Sequence, residues 1–210
     1  MYVKHINPHH QQGIRTSKKE LIDLAKAWII LGLAFAIAMN GFHLTLAFFI
    51  AVFVSLFTIG IGFLFHELAH KFLAQRYGCL AEFRSFDNML FLSLAMSFLG
   101  FVFAAPGAVM IQGHLTRQQN GKISAAGPAM NLFVSLFFLL VFFTSQGLLQ
   151  AIGRYGFLIN AWLALFNMIP FAMFDGRKIW EWSRPVYICM AVAAFGLILV
   201  EQMISLGVFT

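Results

Sequence analysis

The sequence predicts an all-α polytopic membrane protein with five membrane-spanning helices, plus a re-entrant segment that carries a short β-hairpin on the cytoplasmic side. Three observations lead there. Hydrophobic residues make up 60% of the 210 positions and charged residues only 10%, far below the roughly 25% charged content of an ordinary soluble domain. The apolar residues fall into runs of about 20, enough to cross about 30 Å of hydrocarbon as helix. The 14 Lys and Arg residues sit in short clusters between those runs, as in loops that face anionic headgroups. The clustering also argues against nucleic acid as the partner behind the net charge of +6.

Residues 1–16, with His5, Pro8, His9 and His10, read as a flexible N-terminal tail, and 17–210 as a single membrane-embedded domain. No small-residue cleavage site follows the polar start, so no cleavable leader is expected. Ser17, with Glu20 three residues on, offers a capping box for the first span, Leu21 to Met39, which stops at Asn40-Gly41. Phe42 to Tyr77 reads as one long second helix that ends at Gly78. A polar loop with Asp87 and Asn88 follows. Met89 to Met110 is apolar enough to cross, but Gly100 and Ala105-Pro106-Gly107 interrupt it, so it is expected to re-enter without crossing. Gly107 to Gly113, followed by Asn120-Gly121, is expected to form the hairpin. Gly127-Pro128 opens the third span, which reaches Phe143, and Thr144 to Gly156 connects it to the next. Phe157 to Phe174 is the fourth span, interrupted by Asn167 and Pro170 and ended by Asp175-Gly176. Pro185 to Leu206 is the fifth, with Glu201 expected to snorkel to the interface. Cys79 and Cys189 suit neither a disulfide framework nor a ligand set.

With this topology every Lys and Arg except Arg154 falls on one side of the bilayer, which makes that side the cytoplasm. A multi-pass protein of the cell membrane is expected, with its N-terminus towards the cytoplasm. If Met89 to Met110 crossed, Arg117, Lys122 and the basic residues after Asp175 would change sides and the bias would collapse.

The run His66-Glu67-Leu68-Ala69-His70 carries the chemistry. Helix positions four apart share a face, so the two imidazoles can meet one metal ion, and Glu67 beside them can take a proton from a water that the metal activates. The chemistry-free alternative is a pair of helix-end histidines facing headgroup water beside an unrelated acid. Ionisable groups at membrane depth cost about 2.5–3.5 kcal/mol for an acid on insertion scales, so such a cluster calls for a compensating partner. A catalytic zinc usually has three protein ligands. Of the remaining acids, Glu20, Asp23 and Glu201 are remote in this topology, Glu82 and Asp87 lie in a loop, and Glu181 is interfacial. Asp175 is best placed, with a plain helix-end acid beside Arg177 as its alternative.

Three blocks, FLFHELAHKFLAQRYG, AAGPAMN and NMIPFAMFDG, make the chain resemble the site-2 protease family of intramembrane zinc metalloproteases. Gly127, Pro128 and Asn131 match its central motif, and Asn167, Pro170, Asp175 and Gly176 match its Asn-x-x-Pro-x-x-x-x-Asp-Gly. The likeness covers a core of about 42–178. It implies that His66, His70 and Asp175 bind one Zn2+ per chain and that Glu67 is the catalytic base in hydrolysis of peptide bonds in or near transmembrane segments of membrane-protein substrates. It suggests that Asn131 or Asn167 donates to the oxyanion or to substrate backbone; either could equally be an interhelical amide bond. The chain departs from the family at Met173 and Arg177, where a proline and a second glycine are frequent. A substrate helix must unwind to be cut, and an edge of the expected hairpin could receive it as an added strand. Two other classes remain: a catalytically inert membrane adaptor, which has no use for Glu67, and a metal or proton transporter, which calls for polar groups along a whole transmembrane route. The sequence does not set the oligomeric state.

Overall fold

The computed structural model describes residues 15–102, 106–171 and 174–206; the tail up to residue 14, Ala105 and Met173 lie outside them. Among the described residues, five helices are long and apolar enough to cross a membrane. The first is α1 (Lys18–Asn40); the second is continuous from Leu46 to Arg76, as α2 (Leu46–Ser55), a π-helical turn (Leu56–Gly60) and α3 (Ile61–Arg76). The others are α5 (Arg117–Thr144), α6 (Gly147–Asn167) and α8 (Arg184–Ser205). Two shorter helices, α4 (Asp87–Ser97) and α7 (Asp175–Trp182), and a two-stranded antiparallel sheet of β1 (Leu80–Ser85) and β2 (Gly107–Gln112) are the other elements among the described residues.

Local signals set most of the helix ends. Gly41 and Gly78 take positive φ and close α1 and α3 by donating back to Ile37 and Gln75. Ser17 caps α1 by accepting from the Glu20 amide at 3.1 Å, but the Glu20 carboxylate does not return to Ser17. It turns inward instead, to Lys71 and Phe83, so the expected capping box is half formed. Polar groups also hold the π-helical turn. Trp28 donates to the Leu56 carbonyl at 2.9 Å, Thr58 donates back to Val54 at 2.8 Å, and Asn160 of α6 donates to Gly156 at 2.8 Å beside Thr58. Gly60 and Gly62 let the Trp28 ring and the Asn160 amide lie directly on the helix.

Several expectations change. The strand Gly107–Gln112 does not fold back on the residues after Gly113; it pairs with Leu80–Ser85, in the register Val109 to Phe83. Asn120 and Gly121 lie in the first turns of α5, because Thr116 and Gln119 make a reciprocal capping box that starts the helix earlier. Gly127 and Pro128 are therefore inside α5, not at its opening. α6 begins at Gly147, so the stretch expected to connect two spans is mostly helix. Asp87 is no loop residue: it opens α4 and binds Lys26 of α1 at 2.5 Å. Glu201 does not reach out to the interface. It is buried on α8 and accepts from Arg154 of α6 at 2.8 and 3.0 Å.

These contacts place the start of α1, the ends of α3 and α6, the start of α5, α7 and the sheet at one end of the bundle. α4 starts from β1 and the chain returns to β1 through β2, so both ends of residues 87–112 sit at that same end. Apolar burial fixes the arrangement. Leu24, Ala27 and Leu31 of α1 enclose Phe63 and Phe83, and Val134, Phe138 and Phe142 of α5 enclose Phe157 and Ile204.

Candidate metal centre

His66 and His70 stand one turn apart on the buried face of α3, with their Nε2 atoms 3.0 Å from each other. α5 crosses α3 at this level, and Gly127 makes the crossing possible: a Cβ there would overlap both imidazole rings. Asp175 arrives from the other side as the first residue of α7. α6 stops at Asn167, ahead of Pro170, and Gly176 lies against the Met168 carbonyl where no side chain fits. The chain therefore turns back sharply, and Asp175 Oδ2 comes to 3.1 Å from His70 Nε2 and 3.4 Å from His66 Nε2.

The three atoms form a group able to hold one metal ion. Zinc held at about 2.0–2.1 Å by tetrahedral ligands spaces them about 3.3 Å apart. The observed separations of 3.0, 3.1 and 3.4 Å are close to one face of such a tetrahedron. His70 Nδ1 donates to the Ile123 carbonyl at 2.8 Å, which leaves the Nε2 lone pair for a metal. His66 Nδ1 is buried and meets no partner among the described residues. Burial works to raise the Asp175 carboxyl, but protonated His70 and His66 rings overcome it and hold the group below the usual carboxylate range; as metal ligands both rings are neutral. Two neutral imidazoles and a carboxylate are a common ligand set for catalytic zinc, so the residues present fit the ion the sequence implies.

The three groups line a cavity of about 210 Å³, and Glu67 lines it too. The Glu67 carboxyl faces the backbone of Val109 on β2. Asn131 of α5 is buried in the same wall and its Oδ1 finds no partner among the described residues. Asn167 also lines the cavity, with its Nδ2 donating back into its own helix at the Leu163 carbonyl, 2.9 Å away. Of the motif residues, Pro170 stays exposed beyond the end of α6. Pro128, inside α5, removes the amide that would otherwise bond the Ser124 carbonyl, in the cavity wall. Sequence reasoning missed the Ile123 carbonyl, the Val109 backbone and two polar wall residues, Asn120 and Lys178. Only Ile123 left a signal: it lies four residues before Gly127, on the helix face that meets the histidines.

The chain is 37% identical over 189 residues, covering 88% of its own length and 95% of the relative's, to a Methanocaldococcus jannaschii protein named "Putative zinc metalloprotease". No family model matches the chain, and no solved structure matches it.

Proposed function

The chain belongs to the metalloprotease family of its Methanocaldococcus jannaschii relative, and on that premise we propose that it is an intramembrane zinc metalloprotease of the site-2 type. Its substrates are membrane proteins, cut in or near their transmembrane segments. The observation that carries the reading is that Glu67 shares one cavity with His66, His70 and Asp175 at one end of five membrane-length helices. An inert adaptor would have no use for that carboxylate.

His66, His70 and Asp175 would hold the zinc ion. When bound there, zinc supplies Lewis acidity, lowering the pKa of a water and polarising the scissile carbonyl. Glu67 takes the proton that this water loses as its oxygen attacks the carbonyl carbon. It then passes that proton to the amide nitrogen as the C–N bond breaks, leaving a carboxylate and an amine. Asn131, buried in the wall, is placed to donate to the developing oxyanion or to substrate backbone. Asn167, with its amide turned to Leu163, suits the interhelical role less than a helix-end one.

The end of the bundle that holds the cavity faces the cytoplasm in this reading. Arg154 pairs with Glu201 at the opposite end, while Lys18, Lys19, Arg117, Lys122, Arg177 and Lys178 flank the cavity end. The re-entrant reading of the segment that begins with α4 fits its length: α4 has 11 residues, about 16 Å of helix, too short to cross. β2 has a strand neighbour on one side only among the described residues, and its other edge is the place for an unwound substrate strand.

The experiment is cleavage of a single-pass substrate by the purified protein in lipid vesicles, with the products located by mass spectrometry. The expected result is a zinc-dependent cut within or just beneath the transmembrane segment, absent with Glu67→Gln. Cleavage of soluble peptides alone, with membrane segments left whole, would contradict the intramembrane reading.

A further inference from the structure

Glu20 lies in the first turn of α1 and is fully buried. Its carboxylate joins three elements. Oε2 accepts from Lys71 of α3 at 2.7 Å, Oε1 accepts from the Phe83 amide of β1 at 3.0 Å, and α1 holds the residue itself through Ser17. Lys71 is 1% exposed, follows His70 directly, and also donates to Thr16 at 2.7 Å.

Phe83 faces Val109 across the two strands. In an antiparallel ladder alternate pairs direct their amides away from the partner strand, and this pair is one of those. The Phe83 amide points out to Glu20, and the Val109 backbone points out to Glu67 on the opposite edge. Two glutamates thus stand at the two outer edges of the sheet, at one cross-strand pair.

We infer that Glu20 is a positioning residue: with Lys71 it closes the outer edge of β1 and fixes the placement of β2 over Glu67, leaving the edge of β2 as the one that can receive a substrate strand. This rests on the protease reading for what β2 receives. Two short strands do not hold together unaided in this way, so their placement must come from outside the sheet. A buried ion pair is a poor source of net stability compared with apolar residues of similar size. It is a good source of fixed geometry, because the carboxylate accepts only where the Phe83 amide and the Lys71 ammonium both reach it. An edge strand with free amides is also open to pairing with any extended chain, and Glu20 removes that option on the β1 side.

Two double variants separate positioning from folding. Glu20→Leu with Lys71→Met removes both charges and the acceptor for Phe83. Glu20→Gln with Lys71→Met removes both charges and keeps an acceptor. Amide exchange over 80–85 and 107–112 is measured on each in vesicles, together with zinc content and with KM and kcat for a single-pass substrate. The expected result is wild-type zinc in both. With leucine, exchange over the sheet speeds up at least tenfold and KM rises about tenfold with kcat within threefold of wild type; with glutamine both are rescued. Equal exchange in the two variants would overturn the inference, and so would faster exchange with unchanged KM, which is a merely structural role. If the wild type cleaves no membrane substrate, the protease reading is what has failed. The exchange comparison still decides whether Glu20 sets the placement of the strands.

Discussion

His70 donates its Nδ1 proton to the Ile123 carbonyl at 2.8 Å, so a backbone atom of α5 fixes the tautomer of a ring on α3. The same helix face brings Gly127 against both imidazoles. α5 therefore acts on the site without supplying a ligand: it orients one histidine and leaves space for both.

Gly127→Ala places a methyl group where the rings lie. Zinc affinity is expected to fall about 10–100-fold, the usual effect of disturbing groups that orient ligands, with helix content by circular dichroism unchanged. Titration in zinc buffers checks this, and wild-type affinity in the variant would show that the close crossing is not needed.

Glu67→Gln keeps the size of the side chain and removes its basicity. Cleavage is expected to fall by at least about 100-fold, in line with the loss of a positioned general base, while zinc per chain stays at the wild-type value. A variant that lost zinc as well would place Glu67 in the ligand set.

Much of this was legible in the sequence, and the misses share a physical cause. The five spans, the glycine stops at Gly41 and Gly78, and the meeting of His66 with His70 followed from apolar length, turn chemistry and helical spacing, while Asp175 joined them by its place in the topology and by the family resemblance. The partner of β2 was not legible, because a strand of six residues carries no mark of which distant strand it will meet. Asn120-Gly121 reads as a turn until the capping box of Thr116 and Gln119 is weighed against it. Glu20, Lys71 and Glu201 look like interfacial charges by position; each is buried because a partner distant in sequence reaches it, and such pairings appear only once the helices are packed.

At the far end of the bundle, Arg154 ties α6 to α8 through Glu201, whose side chain is 7% exposed. Arg154→Ala leaves that carboxylate buried with only the Ser205 hydroxyl, at 3.2 Å, as donor and is expected to cost about 1.5 kcal/mol, the lower end for hydrogen bonds to charged groups. Adding Glu201→Gln should recover most of the loss. Thermal unfolding of the three proteins in one detergent checks this, and no recovery by the second substitution would mean that the pair is not what holds the two helices.

Val109→Pro removes an amide from the outer edge of β2 without touching a ligand. Cleavage of a membrane substrate should slow, with zinc content unchanged. Unchanged turnover would remove β2 as the docking strand.

Zinc per chain in detergent-purified wild type and Asp175→Ala tests most directly whether residues from α3 and α7 close a single metal site. About one zinc per wild-type chain, lost or much weakened in the variant, is the predicted result. A folded wild type without zinc, or a variant that binds zinc as tightly as the wild type, would contradict it.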